Sequence, residues 1–365
     1  MADKIRVGVL FGGRSAEHEV SVTSARSVLE AIDRDKYEVT MIGIDRQGRW
    51  LSAGDATRLL QAGRVEGEGL VPVALDYGGG RELVTQNGAG GPARTVDVIF
   101  PILHGPYGED GTVQGLLELA GVAYVGAGVL GSAVGMDKDM MKRVFRAAGL
   151  PQVAHVAVLR SRWRREPAAV RAAVEAALEY PLFVKPANLG SSVGISKVHG
   201  PEELTPAMET AARYDRKIVV EASAGDCHEV ECAVLGNEHP EASVVGQIVP
   251  SHEFYDYEAK YLDGRSELII PARLRPETAE AVRQLACRAF AACDAAGLAR
   301  VDFFVRRDDE SVLINEINTL PGFTPISMYP KLWAASGVTY RQLIDRLIEL
   351  ALERHRDRQD ASTAR

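Results

Sequence analysis

Residues 300–318 read RVDFFVRRDDESVLINEIN, two strand-forming runs on either side of a charged stretch. Side chains two positions apart on a strand share a face. By that rule Glu316 and Asn318 project together with Ile314, while Asn315 and Ile317 point the other way. Arg300 shares a face with Asp302 on the preceding strand. Asp302, Glu316 and Asn318 are therefore three oxygen-bearing side chains on adjacent strands. Hard divalent cations take carboxylate and amide oxygens together with phosphate oxygens, and two such ions neutralise a reacting triphosphate. The same residues also suit an ordinary solvated sheet face. The turn-rich run Asn318–Thr324 follows directly, and its N–H groups near Gly322 can face an anion without a side chain in the way. Arg300 either pairs with Asp302 or joins that N–H in clamping an oxyanion; the two are compatible.

Working outward, HEVECAVLG (228–236), SVVGQIV (243–249) and LIIPA (268–272) add strands to this lobe. A long helix at 277–296 is inserted, with Pro276 at its start and Gly297 just past its end. Ahead of it, HVAVL (155–159), LFVKPA (182–187) and KIVVEAS (217–223) alternate with an alanine-rich helix and a helix at 202–214, a small α+β lobe. A helix from Ser132 to Ala148, stopped by Gly149 and Pro151, leads into it. Near the beginning, IRVGVLF (5–11), YEVTMIGID (37–45) and VDVIFPIL (96–103) alternate with helical patterns up to Ile32 and at 111–121. That alternation predicts a parallel sheet with helices on its faces. The glycine-rich stretch 77–95 reads as an exposed loop. A last helix at 340–355 places Leu343, Ile344, Leu347 and Ile348 on one face, and the charged end reads as a frayed tail. The expected division is 1–130, 131–222 and 223–356, the last carrying a loop at 251–267, with a flexible tail at 357–365.

A chain of 365 residues suits two or three such lobes. Its net charge of -8 argues against broad nucleic-acid binding. No apolar run is long enough to span a membrane, and MADKIRVGVLFGG lacks the pattern of a secretory signal. Cys227, Cys232, Cys287 and Cys293 form no CxxC pair and read as buried free thiols. A cytoplasmic protein is the expectation.

Several further segments bear chemistry. Lys185 ends the strand FVKPA, and NLGSSVGISKV follows it. Such a loop wraps phosphates with its N–H groups beside a lysine's point charge, although on its own it is equally an ordinary hairpin. SHEFYDYEAKYLDG is long, polar, aromatic and without regular period, as lids often are. GGRSAEHEVS opens the first helix without a GxGxxG fingerprint, and a helix N-terminus offers positive potential. HGPYGEDG ends the strand VDVIFPIL, where ligands collect in parallel sheets.

These motifs together resemble the D-alanine–D-alanine ligases of the ATP-grasp superfamily, from about residue 5 to about 350. The resemblance implies a three-lobed α/β and α+β fold with an N-terminal parallel-sheet domain. It implies ATP as co-substrate and two Mg²⁺ ions (replaceable by Mn²⁺) on Asp302, Glu316 and Asn318. It assigns Lys138, Lys185 and Lys260 to the ATP phosphates, under the loop Ser191, Ser192 and Val193. Glu221, Ala222 and Ala224 match the adenine slot, and Glu229 the ribose acid, with Glu231 close enough to contest that register. Arg300 and the N–H of Gly322 match the groups that stabilise the tetrahedral transition state. Glu17 matches the acid that grips the first D-alanine's ammonium and forms a hydrogen-bonded set with Ser191 and Tyr261. His104 matches a residue beside that D-alanine, and Ser327 and Met328 match the second D-alanine's carboxylate site. Two D-alanine molecules and ATP are the implied partners, and a homodimer is common in the family. A sibling making D-alanyl-D-lactate or D-alanyl-D-serine is the nearest rival. A nucleotide-binding regulator with a dead site or a NAD-dependent dehydrogenase explains fewer of these residues.

Overall fold

Val7, Val9, Leu10 and Phe11 are completely buried, because an uninterrupted apolar strand is stable only when both its faces are covered. They lie in β1 (Ile5–Gly12), an interior strand of the first of three sheets that the described residues form in the computed structural model. The structure describes residues 3–52, 60, 63–66, 70–76, 81–85, 94–249 and 267–361. After β1 come α1 (His18–Ala31), β2 (Tyr37–Ile44), β3 (Trp50–Ser52), β4 (Val71–Leu75), β5 (Glu82–Thr85), β6 (Arg94–Thr95), β7 (Val98–Ile102), α2 (Thr112–Leu119) and β8 (Ala123–Tyr124). The sheet order is β6-β5-β4-β3-β2-β1-β7-β8. The strands β2, β1, β7 and β8 are parallel, and β3 to β6 extend them antiparallel. The stretch 77–95 is thus not all loop. Glu82–Thr85 and Arg94–Thr95 form edge strands, too short and too polar to show a period in the sequence.

The second sheet follows α3 (Val129–Met136) and α4 (Lys138–Ala147). It comprises β9 (His155–Leu159), β10 (Leu182–Pro186), β11 (Ser196–Val198) and β12 (Lys217–Ala222), with α5 (Arg160–Arg165), α6 (Pro167–Ala177) and α7 (Pro201–Tyr214) between them. Its order is β11-β10-β12-β9, all antiparallel. The single helix expected from Ser132 is two. Asp137 leaves helical geometry (φ -87, ψ 101), and its side chain accepts from the N–H groups of Asp139 and Met140, a strong N-cap. Lys138 therefore opens a helix instead of sitting mid-helix.

The third sheet contains β13 (Cys227–Gly236), β14 (Glu241–Val249), β15 (Glu267–Ile269), β16 (Gly297–Arg306) and β17 (Val312–Asn318), with α8 (Pro276–Ala292) on one face and α9 (Met328–Ala335) and α10 (Tyr340–Asp360) after it. The order is β15-β14-β13-β16-β17. Helix α8 stops at Ala292, well before Gly297. Gly297 is needed for another reason: it opens β16 at φ +72, where a Cβ would stand 3.0 Å from the backbone nitrogen of Gly126.

The alternation inferred for INEIN fails at one residue. Asp302 pairs with Glu316, but Phe303 pairs with Ile314, so Asn315 is the extra residue of a β-bulge. Ile314 and Ile317 both enter the apolar core with Val301 and Phe303. Ile314 does not share Glu316's face; Asn315 does not share Ile317's burial.

Phe323 joins the first sheet to the last helices, its ring 5.7 Å from Phe100 and 5.4 Å from Tyr340. Leu343, Ile344, Leu347 and Ile348 pack in the same cluster as Val7 and Phe11. Residues 357–360 are helical rather than frayed, because Arg358 pairs with Glu118 and Arg354 lies 4.4 Å over the Tyr124 ring. On the other side, Gly131 of α3 lies flat against the segment after α8. A Cβ there would meet the Asp294 carbonyl oxygen at 2.5 Å. Gly131→Ala is therefore expected to destabilise the fold by about 1–3 kcal/mol. A denaturant midpoint equal to that of the unmodified chain would contradict this packing.

Candidate active site

The ends of the second and third sheets enclose a cleft of about 420 Å³. Phe183, Lys185, Ser192 and Lys197 line it from one side, and Glu229, Glu231, Asp302, Phe304 and Glu316 from the other. The connection Ala222–Asp226 between β12 and β13 closes one end. Antiparallel pairing puts Glu229 and Glu231 on one face of β13, opposite Phe304 and Asp302 of β16.

At the other end the two final strands set four polar groups in a square. Asp302 stands opposite Glu316, and Arg300 opposite Asn318. Arg300 grips Asp302 with two bonds of 2.7 Å, Nε to Oδ1 and Nη2 to Oδ2, and its Nε lies 3.0 Å from Glu231 Oε2. Burial disfavours the guanidinium charge, but Asp302 and Glu231 outweigh it and raise its pKa well above normal. The bidentate pairing is thus present. Two carboxylates on directly opposed residues, with the amide of Asn318 two residues on, are an oxygen donor set of the hardness Mg²⁺ prefers. Both carboxylate residues line the cleft. The Asn318 Oδ1 also accepts from the N–H of Leu320 at 3.0 Å, which stiffens the turn.

Two lysines reach this end. Lys138 donates to the carbonyl of Leu189 at 2.7 Å and lies 3.7 Å from Glu316 Oε2. Lys185 donates to Glu221 Oε2 at 2.8 Å. Glu221 is 2% exposed, and Lys142 stands 3.3 Å from its other oxygen. Burial alone would push this carboxyl up; Lys142 and Lys185 overcome that and hold it at about 2. Lys142 was passed over in the sequence, although MDKDMMK puts it one helical turn after Lys138 and on the same face.

The first sheet approaches through its strand-end loops. Ser191 and Ser192 follow one another with φ 52 and 56, a left-handed conformation that costs about 1 kcal/mol or more per residue. Ser191 Oγ donates to Glu17 Oε1 and ties this loop to the start of α1. The Glu17 carboxylate lies against glycines: a Cβ on Gly105 would stand 3.2 Å from Oε2, and one on Gly190 3.6 Å. Next to it His104 Nδ1 faces the carbonyl of Leu320 at 3.2 Å and Glu109 at 3.6 Å. Its Nε2 is buried without a hydrogen-bond partner among the described residues. Burial opposes charging His104, but Glu109 prevails and raises its pKa. Glu109, also missed in the sequence, accepts from the Gly105 N–H at 3.0 Å. His18, by contrast, is spent on backbone, at Gly13 O and the Val65 N–H.

Ser327 precedes α9, with its Oγ 2.8 Å from Thr324 Oγ1 and close beneath Gly322. Met328 is buried against Gly246. Ala222 and Ala224 line the cleft; Val193 lies in the loop beside it, its N–H 3.3 Å from the Gly190 carbonyl. Lys260 and Tyr261, with most of the expected lid at 251–267, lie outside the described residues.

The Glu221 charge has a measurable signature. Its pKa is depressed in the folded state, so its contribution to stability is present above the ordinary carboxylate range and is lost as pH falls toward about 2. Glu221→Gln should therefore destabilise the protein at pH 7, with the difference from the parent shrinking between about pH 5 and about pH 2. A difference in unfolding free energy that stays constant across that window would contradict the assignment.

Comparison with known proteins agrees with this architecture. The family model for the D-ala D-ala ligase N-terminus matches residues 6–127, and that for the D-ala D-ala ligase C-terminus matches residues 144–349. A D-alanine–D-alanine ligase of Deinococcus radiodurans is 52% identical, covering 96% of this chain and 99% of its own length. That of Thermoanaerobacter sp. (strain X514) is 51% identical over 98% of this chain and 99% of its own. Among solved structures, the VanG D-Ala:D-Ser ligase of Enterococcus faecalis superposes with a TM-score of 0.86 at 35% identity, covering 96% of this chain and 100% of that one. The three-sheet α/β and α+β arrangement is thus the ATP-grasp fold, and the chain belongs to the D-alanine–D-alanine ligase family.

Proposed function

We propose that this chain joins two D-alanine molecules to D-alanyl-D-alanine, with ATP and Mg²⁺, for peptidoglycan precursor synthesis in the cytoplasm. One observation carries the reading: the cleft is lined by Lys185 and Glu221 at one wall and by Asp302 and Glu316 at the other. Lys138 lies 3.7 Å from Glu316 there, and the loop that supplies the lining residue Ser192 is tied through Ser191 to Glu17 of the first sheet's loops. Cations suited to phosphate and carboxylates suited to a metal thereby face one cleft, with an acid suited to an ammonium attached through the neighbouring loop. The curated relatives named above, at about half identity over nearly the whole chain, support the dipeptide product over the D-Ala:D-Ser product named for VanG.

In this reading the adenosine lies in the cleft against Ala222 and Ala224. The Glu221 carboxylate is already engaged by two lysines, so the main chain there receives the adenine amino group. Glu229 takes the ribose, since Glu231 is occupied with Arg300. Lys138, Lys185 and Lys260 spread the phosphate charge beneath Ser191, Ser192 and Val193. Asp302, Glu316 and Asn318 would hold Mg²⁺, which supplies neutralisation of the triphosphate when bound. Glu17 and His104 orient the first D-alanine, whose carboxylate attacks the γ-phosphorus as ADP leaves. The second D-alanine, its carboxylate held at Ser327 and Met328, attacks the acyl carbon of D-alanyl phosphate with its amine, and phosphate departs. Arg300 and the Gly322 N–H stabilise the tetrahedral oxyanion. To Tyr261, outside the described residues, this reading assigns the task of excluding water together with Glu17 and Ser191. The lobes divide at 130 and 222, and the chain assembles as a homodimer.

Purified protein with Mg-ATP is expected to release ADP on addition of D-alanine and not of L-alanine; no ADP release with D-alanine would end this reading. Glu316→Ala is expected to lower turnover by about 100-fold or more, and near-normal turnover would reject the metal role.

A further inference from the structure

We propose that Lys142 is a positioning residue for the nucleotide: it neutralises Glu221 from behind, which leaves the charge of Lys185 available to the phosphates. The inference rests on reading the cleft as the ATP site. Three groups lie in a row. Lys142 Nζ is 3.3 Å from Glu221 Oε1, and Glu221 Oε2 is 2.8 Å from Lys185 Nζ. Lys185 lines the cleft, whereas Lys142, 1% exposed, does not. Lys142 therefore cannot reach a ligand directly. Burial and Lys185 lower the Lys142 pKa while Glu221 opposes them; with both lysines protonated, two cations and one anion leave a net single positive charge, and the row presents it through Lys185. Without Lys142, Lys185 and Glu221 would be a neutral buried pair, held together by strong attraction in a poorly polarisable interior. Lys185 would then be a poor phosphate ligand.

The position of Lys142 is built, not incidental. The β-bulge at Asn315 turns a carbonyl toward it, and Lys142 Nζ donates to that oxygen at 3.4 Å. Gln152 Nε2 donates to the Lys142 carbonyl at 2.8 Å and pins its helical turn. The Asp137 cap, which starts α4, sets the rotation at which Lys138 points to Glu316 and Lys142 to Glu221.

The test separates charge from packing. Lys142→Met is expected to raise both the dissociation constant and the KM for Mg-ATP about tenfold, with kcat within about threefold of the parent. The double variant Lys142→Met/Glu221→Gln removes one positive and one negative charge and restores the net single charge on Lys185. It is expected to return both constants to within about threefold of the parent. A purely structural role for Lys142 predicts no such rescue. Normal ATP affinity in Lys142→Met, or a double variant as weak as the single one, would overturn the proposal. If Lys142→Met does not fold, as circular dichroism would reveal, Lys142→Gln takes its place and is compared with Lys142→Gln/Glu221→Gln by the same two criteria. Failure of the parent protein itself to bind Mg-ATP would instead defeat the functional reading on which this one rests.

Discussion

A carboxylate with almost no access to water persists only if other charges replace its hydration. Glu221 meets that condition through Lys142 and Lys185, which come from α4 and β10. The arrangement ties three separate segments into one electrostatic unit at the back of the cleft. It demands that α4 begin at a defined residue and that the second sheet hold β10 beside β12. Asp137 supplies the start by capping the helix. Lys217 then secures Asp137 from the side, with its Nζ 2.7 Å from the carboxylate.

The same logic repeats around Arg300. A buried guanidinium is acceptable because Asp302 and Glu231 surround it. Asp302 lies two residues along Arg300's own strand and Glu231 on the neighbouring one, so ladder register decides whether the second acid meets the guanidinium. The β-bulge at Asn315 is the local adjustment that lets Glu316 face Asp302 while Ile314 and Ile317 both stay in the core. Glu17 and Ser191 provide the corresponding link across the first and second sheets, and Phe323 the apolar one across the first and third.

Much of this was legible in the chain itself. The apolar runs at 5–11 and 96–103 announced buried parallel strands, because both faces of such strands must be covered. INEIN and LFVKPA marked strand ends bearing chemistry, since carboxylates, amides and lysine rarely interrupt an apolar run without a task. Resemblance to a known family then supplied roles that residue types alone left open, as for Ser327 and Met328. Lys142 and Glu109 escaped notice: Lys142 lies in no motif, and Glu109, inside HGPYGEDG, carries no local sign of its partner. Each matters through what stands opposite it in space.

Local sequence determined which segments became strands and helices, because periodicity and capping act over a few residues. It determined too that acidic and basic groups would cluster near strand ends. Tertiary structure alone decided which charges were paired, where the ladder slipped by a residue at Asn315, and how the end of α10 was fastened to Glu118 and Tyr124. Those outcomes depend on contacts between residues far apart in the chain. Packing and desolvation, not local propensity, set their energies.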